Sequence, residues 1–265
     1  MKVLVLFIAM VCAIACTTTE TILDFNLVEG SINKLDSAYV IFQEQAYRFP
    51  LDAQGKGTLK MNIKEDGFAI LVYGKLSTNI YLKQGNTLKV IWDKEDWRGG
   101  KMQVVSDDGG INEYIRLNIE KSFKKATECS FTLEEDSFMD KVEQTIRELS
   151  AGIDSTNFAP EIKDILKASS KYEVLYWIYK YPRFHNFGKR MSQEEYLAFK
   201  RFNEYMFDKF EAHPEYLCLT AYREYAVNWF YELMQLRCFG EPYILKKEKA
   251  CQYILEHVKN FGNML

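Results

Sequence analysis

The sequence is short of the residues on which most site chemistry depends. It has three histidines, His185, His213 and His257, far apart and in no metal-ligand spacing, so neither a metal centre nor a cofactor is expected. No Cys-x-x-Cys, Gly-x-Ser-x-Gly, His-Glu-x-x-His or phosphate-binding glycine loop occurs, and no stretch reads as catalytic. Basic residues are not in excess: 34 Lys and Arg stand against 37 Asp and Glu, a formal net charge of −3. Lysines alternate with acids in stretches such as KEDGF and KKEKAC, which describes solvated faces. Nucleic acid requires a concentrated basic face and is not expected as a partner. No apolar run reaches the ~20 residues of a membrane-spanning helix. Aromatic residues, in contrast, are plentiful, with 17 Tyr and 18 Phe. Rings bury large areas, so a ring-packed interior is the first expectation and a ligand platform the second.

The one apolar run lies at the start. Lys2 is the only charge before Glu20, and Val3 to Ala15 are all apolar or small, the pattern of a secretion signal. It closes on Ala13-Ile14-Ala15-Cys16, which resembles a lipobox, with Ala13 where that pattern prefers Leu. A conventional signal-peptide cut is the alternative. The resemblance implies loss of residues 1–15, a palmitate-bearing diacylglyceride on Cys16, and the membrane as a partner through that anchor. Stable anchoring takes more than one acyl chain, and a lipoprotein N-terminus supplies several. Thr17-Thr18-Thr19-Glu20 has no Asp directly after the cysteine and no acidic run, which by analogy places an outer-membrane lipoprotein facing the periplasm. Cys129, Cys218, Cys238 and Cys251 would then lie in an oxidising compartment. They allow three pairings, and buried free thiols fit equally well.

The chain has two textures, and the fold class expected is α+β. From Thr21 to about Val105, short β-branched and aromatic runs are separated by turn signals, predicting seven or eight strands that suit a β-sandwich or an open barrel; an antiparallel β-sandwich over 16–106 is the expectation. Gly55 and Gly57 mark one turn as positive-φ positions, and Gln84-Gly85-Asn86 reads as a hairpin connection. After Asp107-Asp108-Gly109-Gly110 the period becomes helical, predicting an all-α domain over 107–265. Ile111, Tyr114, Ile115, Asn118, Ile119 and Ser122 share one helix face, which Phe123 extends; Phe138, Val142, Ile146 and Leu149 share the next. Thr132-Leu133-Glu134-Glu135 and Ser192-Gln193-Glu194-Glu195 read as capping boxes. The second box leads a helix along Tyr196, Phe199, Met206 and Phe210. Pro160, Pro214 and Pro242 suit first turns.

Two places suit a ligand. Trp92-Asp93-Lys94-Glu95-Asp96-Trp97 gathers acids between two indoles at a strand exit; such a loop either binds sugar or peptide, or caps the sandwich with its rings. YEVLYWIYKYPRFHNFGKR is the densest aromatic segment and sets His185 beside Phe184. A lone histidine there is either a hydrogen-bonded structural residue or part of a binding face. Glu134, Glu135 and Asp136 are acids at a helix start, where the dipole favours negative charge.

The order of parts, with the motifs FNLVEGSI, FPLDAQGKGTLKMNI and NIYLKQGNTLKVIWD before a helical stretch, resembles the N-terminal region of TlpA-type, peroxiredoxin-like thioredoxin-like lipoproteins of Gram-negative anaerobes. The similarity spans about residues 16–260. In those proteins a β-domain of unassigned function and helices precede a thioredoxin-fold domain with Cys-x-x-Cys. This chain stops about where that domain would begin, so no redox residue carries over. The resemblance implies a non-enzymatic binding or positioning module that meets a periplasmic, thioredoxin-like protein partner. The alternatives are a truncated thiol–disulfide oxidoreductase, using Cys218, Cys238 or Cys251, and a carbohydrate- or peptide-binding lipoprotein.

Overall fold

A computed structural model describes residues 20–28, 35–93, 102–185, 192–208 and 213–237. Cys16, Trp97, Cys238, Cys251, Phe210 and Pro242 lie outside them. The described part is α+β, with the strands first and the helices after.

Eight strands form two four-stranded sheets. They are β1 (Thr21–Val28), β2 (Ser37–Phe42), β3 (Gln45–Pro50), β4 (Lys56–Met61), β5 (Gly67–Tyr73), β6 (Leu76–Leu82), β7 (Thr87–Asp93) and β8 (Gln103–Val105). One sheet has the order β4-β1-β7-β8, the other β3-β2-β5-β6. Alternation in sequence becomes alternation in burial: Leu23, Phe25 and Leu27 point inward from β1, and Leu88, Val90 and Trp92 from β7. They share a core with Ala38, Val40 and Phe42 of β2 and Leu82 of β6, so the two sheets are the layers of a sandwich. Phe25 sits at its centre, edge-to-face with Phe49 and with Trp92. All ladders are antiparallel except β1/β7, which is parallel, with Leu23 opposite Leu88 and Phe25 opposite Val90.

That parallel pair corrects one expectation. Gln84-Gly85-Asn86 turns the chain with Gly85 at φ +73, but β6 and β7 belong to different sheets, so the turn is a crossing between layers and not a hairpin. It is held on β1: Thr21 accepts from the Gly85 N–H at its hydroxyl, and the Ile22 N–H donates to the Asn86 carbonyl. The β3–β4 turn crosses in the same way. Gly55 takes φ +80 as expected, whereas Gly57 is needed for a different reason, since a Cβ there would lie 2.5 Å from the Pro50 carbonyl oxygen. Tight hairpins among the described residues join β2 to β3, turning at Gln43 and Glu44 with positive φ at both, and β5 to β6, turning at Gly74.

The helical elements are α1 (Ile111–Thr127), α2 (Glu135–Asp154), α3 (Pro160–Ile178), α4 (Tyr181–His185), α5 (Gln193–Leu197), α6 (Lys200–Asn203), a π turn (Glu204–Asp208), a 3₁₀ turn (Pro214–Cys218) and α7 (Thr220–Arg237). The inward faces match the periodicity: Ile111, Ile115, Asn118, Ile119 and Ser122 are buried on α1, and Phe138, Val142 and Leu149 on α2, with Ile146 packed beside them. Pro160 opens α3 and Pro214 opens the 3₁₀ turn. The Ser192 capping box is present in both directions, the Glu195 N–H donating to the Ser192 hydroxyl and the Ser192 N–H to the Glu195 carboxylate. Its helix ends after five residues, and the remainder to Asp208 is broken into α6 and the π turn.

The box expected at Thr132 does not form. Its hydroxyl pairs with Ser130, α2 begins at Glu135, and the Glu134 N-cap makes no side-chain cap bond. The Glu135 carboxylate accepts instead from the Phe202 N–H, 2.7 Å away, tying α6 to the start of α2.

The chain divides into two compact units, 1–113 and 114–265. The division falls inside the first turn of α1 and past the expected boundary at Ser106, because the opening residues of that helix are hydrogen-bonded to the sandwich.

Candidate functional site

The aromatic segment ends α3. The helix stops at Ile178, and Pro182 lies in the first turn of the short helix that follows, where its missing N–H removes no helical bond. The short α4 then turns Tyr181 and His185 back onto the connection between α1 and α2. The Tyr181 hydroxyl donates to the Leu133 carbonyl at 2.8 Å, and His185 Nδ1 lies 3.0 Å from the Phe131 carbonyl. A carbonyl only accepts, so Nδ1 carries the proton and donates. Two side chains of one short helix thus pin the backbone at 131–133.

The pinned segment holds an ordered group of rings. Phe131 stacks on Trp177, with planes 20° apart, and leans on Phe184 at 5.5 Å between centroids. Phe123 meets Trp177 edge-on, and the Lys180 ammonium lies 5.3 Å from the indole centroid. Beneath them Phe138, Tyr181 and Phe202 are fully buried. Burial raises the Tyr181 hydroxyl well above the usual tyrosine range, with the Glu135 and Glu134 carboxylates adding to the effect. Phe184 alone among these rings stands well exposed, at 46%. The cluster is therefore a buried aromatic base with one ring presented to solvent, and it combines the packing and platform readings.

The other expected ligand residue lies elsewhere. Trp92 has no exposed surface and packs against Phe25 in the sandwich core, so it cannot touch a ligand. Its position on β7 is an inward one by the same alternation that buries Leu88 and Val90. Phe184 and His185 are brought together with Phe131, which spacing along the chain did not connect.

Two of the cysteines, Cys129 and Cys218, lie among the described residues. Cys129 is buried, its Sγ 3.8 Å from the Thr145 hydroxyl; burial pushes its pKa up, and the Thr145 contact offsets this only in part. Burial pushes the Cys218 thiol up to about 11, and its Sγ donates to the Glu215 carbonyl. Attack on a disulfide requires thiolate, and near neutrality both sulfurs are held as thiols.

The acids at the start of α2 serve a structural partner. Arg201 reaches Asp140 at 2.7 Å, Glu143 at 3.1 Å and Asp136 at 3.6 Å. Among the described residues no cluster of His, Cys, Asp and Glu could hold a metal ion, and no helix is long and apolar enough to cross a membrane.

No family model, curated protein or solved structure matches this chain.

Proposed function

We propose that this chain is an exported lipoprotein, anchored through Cys16, that acts as a non-enzymatic binding or positioning module beside periplasmic thioredoxin-like proteins. The observation that carries the binding part is the exposed Phe184 ring on its stacked base of Phe131 and Trp177. A ring fixed in advance loses little freedom when a partner covers it, and aromatic anchors of this kind dominate many interfaces. The export part rests on the leader and on Cys16, and the choice of partner on the family resemblance.

The rival reading, thiol–disulfide exchange, is disfavoured at Cys129 and Cys218 by the burial that raises both thiols. A glycan or extended peptide on Phe184 and His185 is the second ligand reading, favoured by the same exposed ring. Insulin reduction with a dithiol donor separates the classes: no turnover above a cysteine-free control is expected, and clear turnover would overturn the binding-module reading. Binding to a purified periplasmic thioredoxin-like protein should weaken at least tenfold on Phe184→Ala. Palmitate incorporation should vanish in Cys16→Ser, and persistence of the label would remove the anchor.

A further inference from the structure

The rings above Tyr181 form a row that crosses several parts of the helical unit. Phe123 of α1 meets Trp177 of α3 at 77°, Trp177 lies on Phe131 at 20°, and Phe131 leans on Phe184 of α4 at 31°. Phe123, Phe131 and Trp177 are partly exposed and Phe184 is exposed. The row has no flat face along its length. Trp177 and Phe131 each cover one face of the other, and Phe123 is turned on edge, so a stepped apolar surface reaches solvent. Such a surface takes apolar side chains better than a sugar ring, which lies flat on an open ring face.

A cation stands beside the row. The Lys180 ammonium lies 5.3 Å from the Trp177 centroid, 5.6 Å from that of Tyr179 and 6.0 Å from that of Tyr176. Ring faces attract a cation but carry no net charge, so the ammonium is steadied without being neutralised. The acids at the start of α2 are engaged elsewhere: Glu135 accepts from the Phe202 N–H, and Asp136 faces Arg201. Among the described residues no carboxylate lies within ion-pair distance of Lys180. Its place relative to Phe184 is fixed. The Phe184 N–H donates to the Lys180 carbonyl at 3.1 Å, which sets the two residues one helical turn apart on the same side.

We infer that this face recognises a protein segment in which a carboxylate stands next to an apolar side chain, the carboxylate on Lys180 and the apolar group against Phe184. The inference rests on the reading of the Phe184 cluster as a binding face and adds the chemistry of what it binds. An ammonium already held among rings gives up little hydration and little freedom when a carboxylate arrives, and the apolar contact beside it excludes water from the pair. Asp or Glu beside Phe, Leu or Tyr supplies both groups within one dipeptide. A neutral glycan supplies no anion for Lys180.

The test titrates the full chain, by fluorescence anisotropy, with labelled Gly-Ser peptides that carry a central Glu-Phe, Gln-Phe or Glu-Ala pair. Glu-Phe should bind about fivefold more tightly than Gln-Phe, the scale of a partly exposed ion pair, and added salt should shrink that advantage. Lys180→Gln should erase the difference between Glu-Phe and Gln-Phe, Lys180→Arg should keep it, and Phe184→Ala should bring Glu-Phe down to the Glu-Ala level. Equal binding of Glu-Phe and Gln-Phe by the wild type overturns the inference, whether or not any variant folds. The exposed ring then still stands as an anchor if Phe184→Ala weakens both. Binding of none of the three peptides also overturns it, and the wider reading falls with it only if the thioredoxin-like partner is indifferent to Phe184→Ala. A Glu-Phe preference that persists in Lys180→Gln removes Lys180 as the carboxylate's partner. Saturable binding of a uronic-acid oligosaccharide, with none of the peptides bound, would assign the face to a glycan and overturn the protein segment.

Discussion

Tyr181 lies face to face on Phe138, with ring centroids 3.9 Å apart and planes within 11°, while its hydroxyl donates to the Leu133 carbonyl. One residue therefore supplies both the floor of the aromatic cluster and a pin for the connection above it. Tyr181→Phe keeps the stack and deletes the pin; a loss of about 1 kcal/mol in urea unfolding is expected. Tyr181→Ala deletes both and should cost about 3–5 kcal/mol, the range for removing a buried large ring. Equal losses in the two variants would show that the stack contributes nothing.

Alkaline pH should unfold the helical unit. The folded pKa values of Tyr181 and Tyr225 are raised by burial, and that of Cys218 stands at about 11 against 9.0 for a free thiol. A raised value means that the unfolded chain releases its protons first. These groups' contribution is complete below the unfolded values, so stability should begin to fall above pH 9 and fall faster above pH 10. Chemical denaturation from pH 8 to 11 measures the slope; a flat profile would contradict the burial of these groups.

The same burial governs reactivity. Mapped by mass spectrometry, iodoacetamide should modify Cys129 and Cys218 slowly in the native protein from pH 5 to 8, and at the rate of an ordinary thiol once urea unfolds it. Fast native labelling at Cys218 would restore thiol exchange as a candidate activity.

Gly57→Ala should be strongly destabilising, because its Cβ would meet the Pro50 carbonyl oxygen at 2.5 Å, and a backbone atom cannot swing aside. A loss of roughly 1–3 kcal/mol is expected, as for other overpacked sites. Gly109→Ala meets no atom within 4 Å and should lose only the cost of its positive φ, about 1 kcal/mol. A melting curve for each variant checks the order.

Arg201→Met should loosen the link between α6 and α2, leaving Asp136, Asp140 and Glu143 without their shared cation. The effect should shrink with added salt, since the carboxylates' mutual repulsion is screened. A salt-independent loss would assign the role to the packing of the arginine stem.

Local signals in the sequence read well wherever local physics decides. Strand alternation on β1 and β7, the stripe on α2, Pro160 at the start of α3 and the Ser192 box were legible, since each involves residues a few positions apart. Thr132 misled because a capping box fits the pattern wherever spacing allows, and here the hydroxyl found Ser130 first. Gln84-Gly85-Asn86 misled because a tight turn has the same residues whether it reverses a strand within its sheet or passes it to the facing one. The Gln43-Glu44 hairpin carries positive φ without a glycine or asparagine, so composition gave no sign of the strained turn.

The aromatic site was half legible. Phe184 and His185 stood out by density, but Phe131 and Leu133 join them only through bonds that span about fifty positions of chain. No spacing rule reaches that far. Trp92 looked like a ligand contact until its side chain was placed in the core between the two sheets.

By itself the sequence determined where strands give way to helices and which face of each element is apolar, because periodicity is set by backbone geometry within one element. Only the tertiary structure decided which strands share a sheet, which rings are buried, and that the Asn112 side chain of the first helix bonds the Tyr81 backbone of β6. Those outcomes depend on burial between segments distant in sequence, where many pairings satisfy the same pattern and packing selects one.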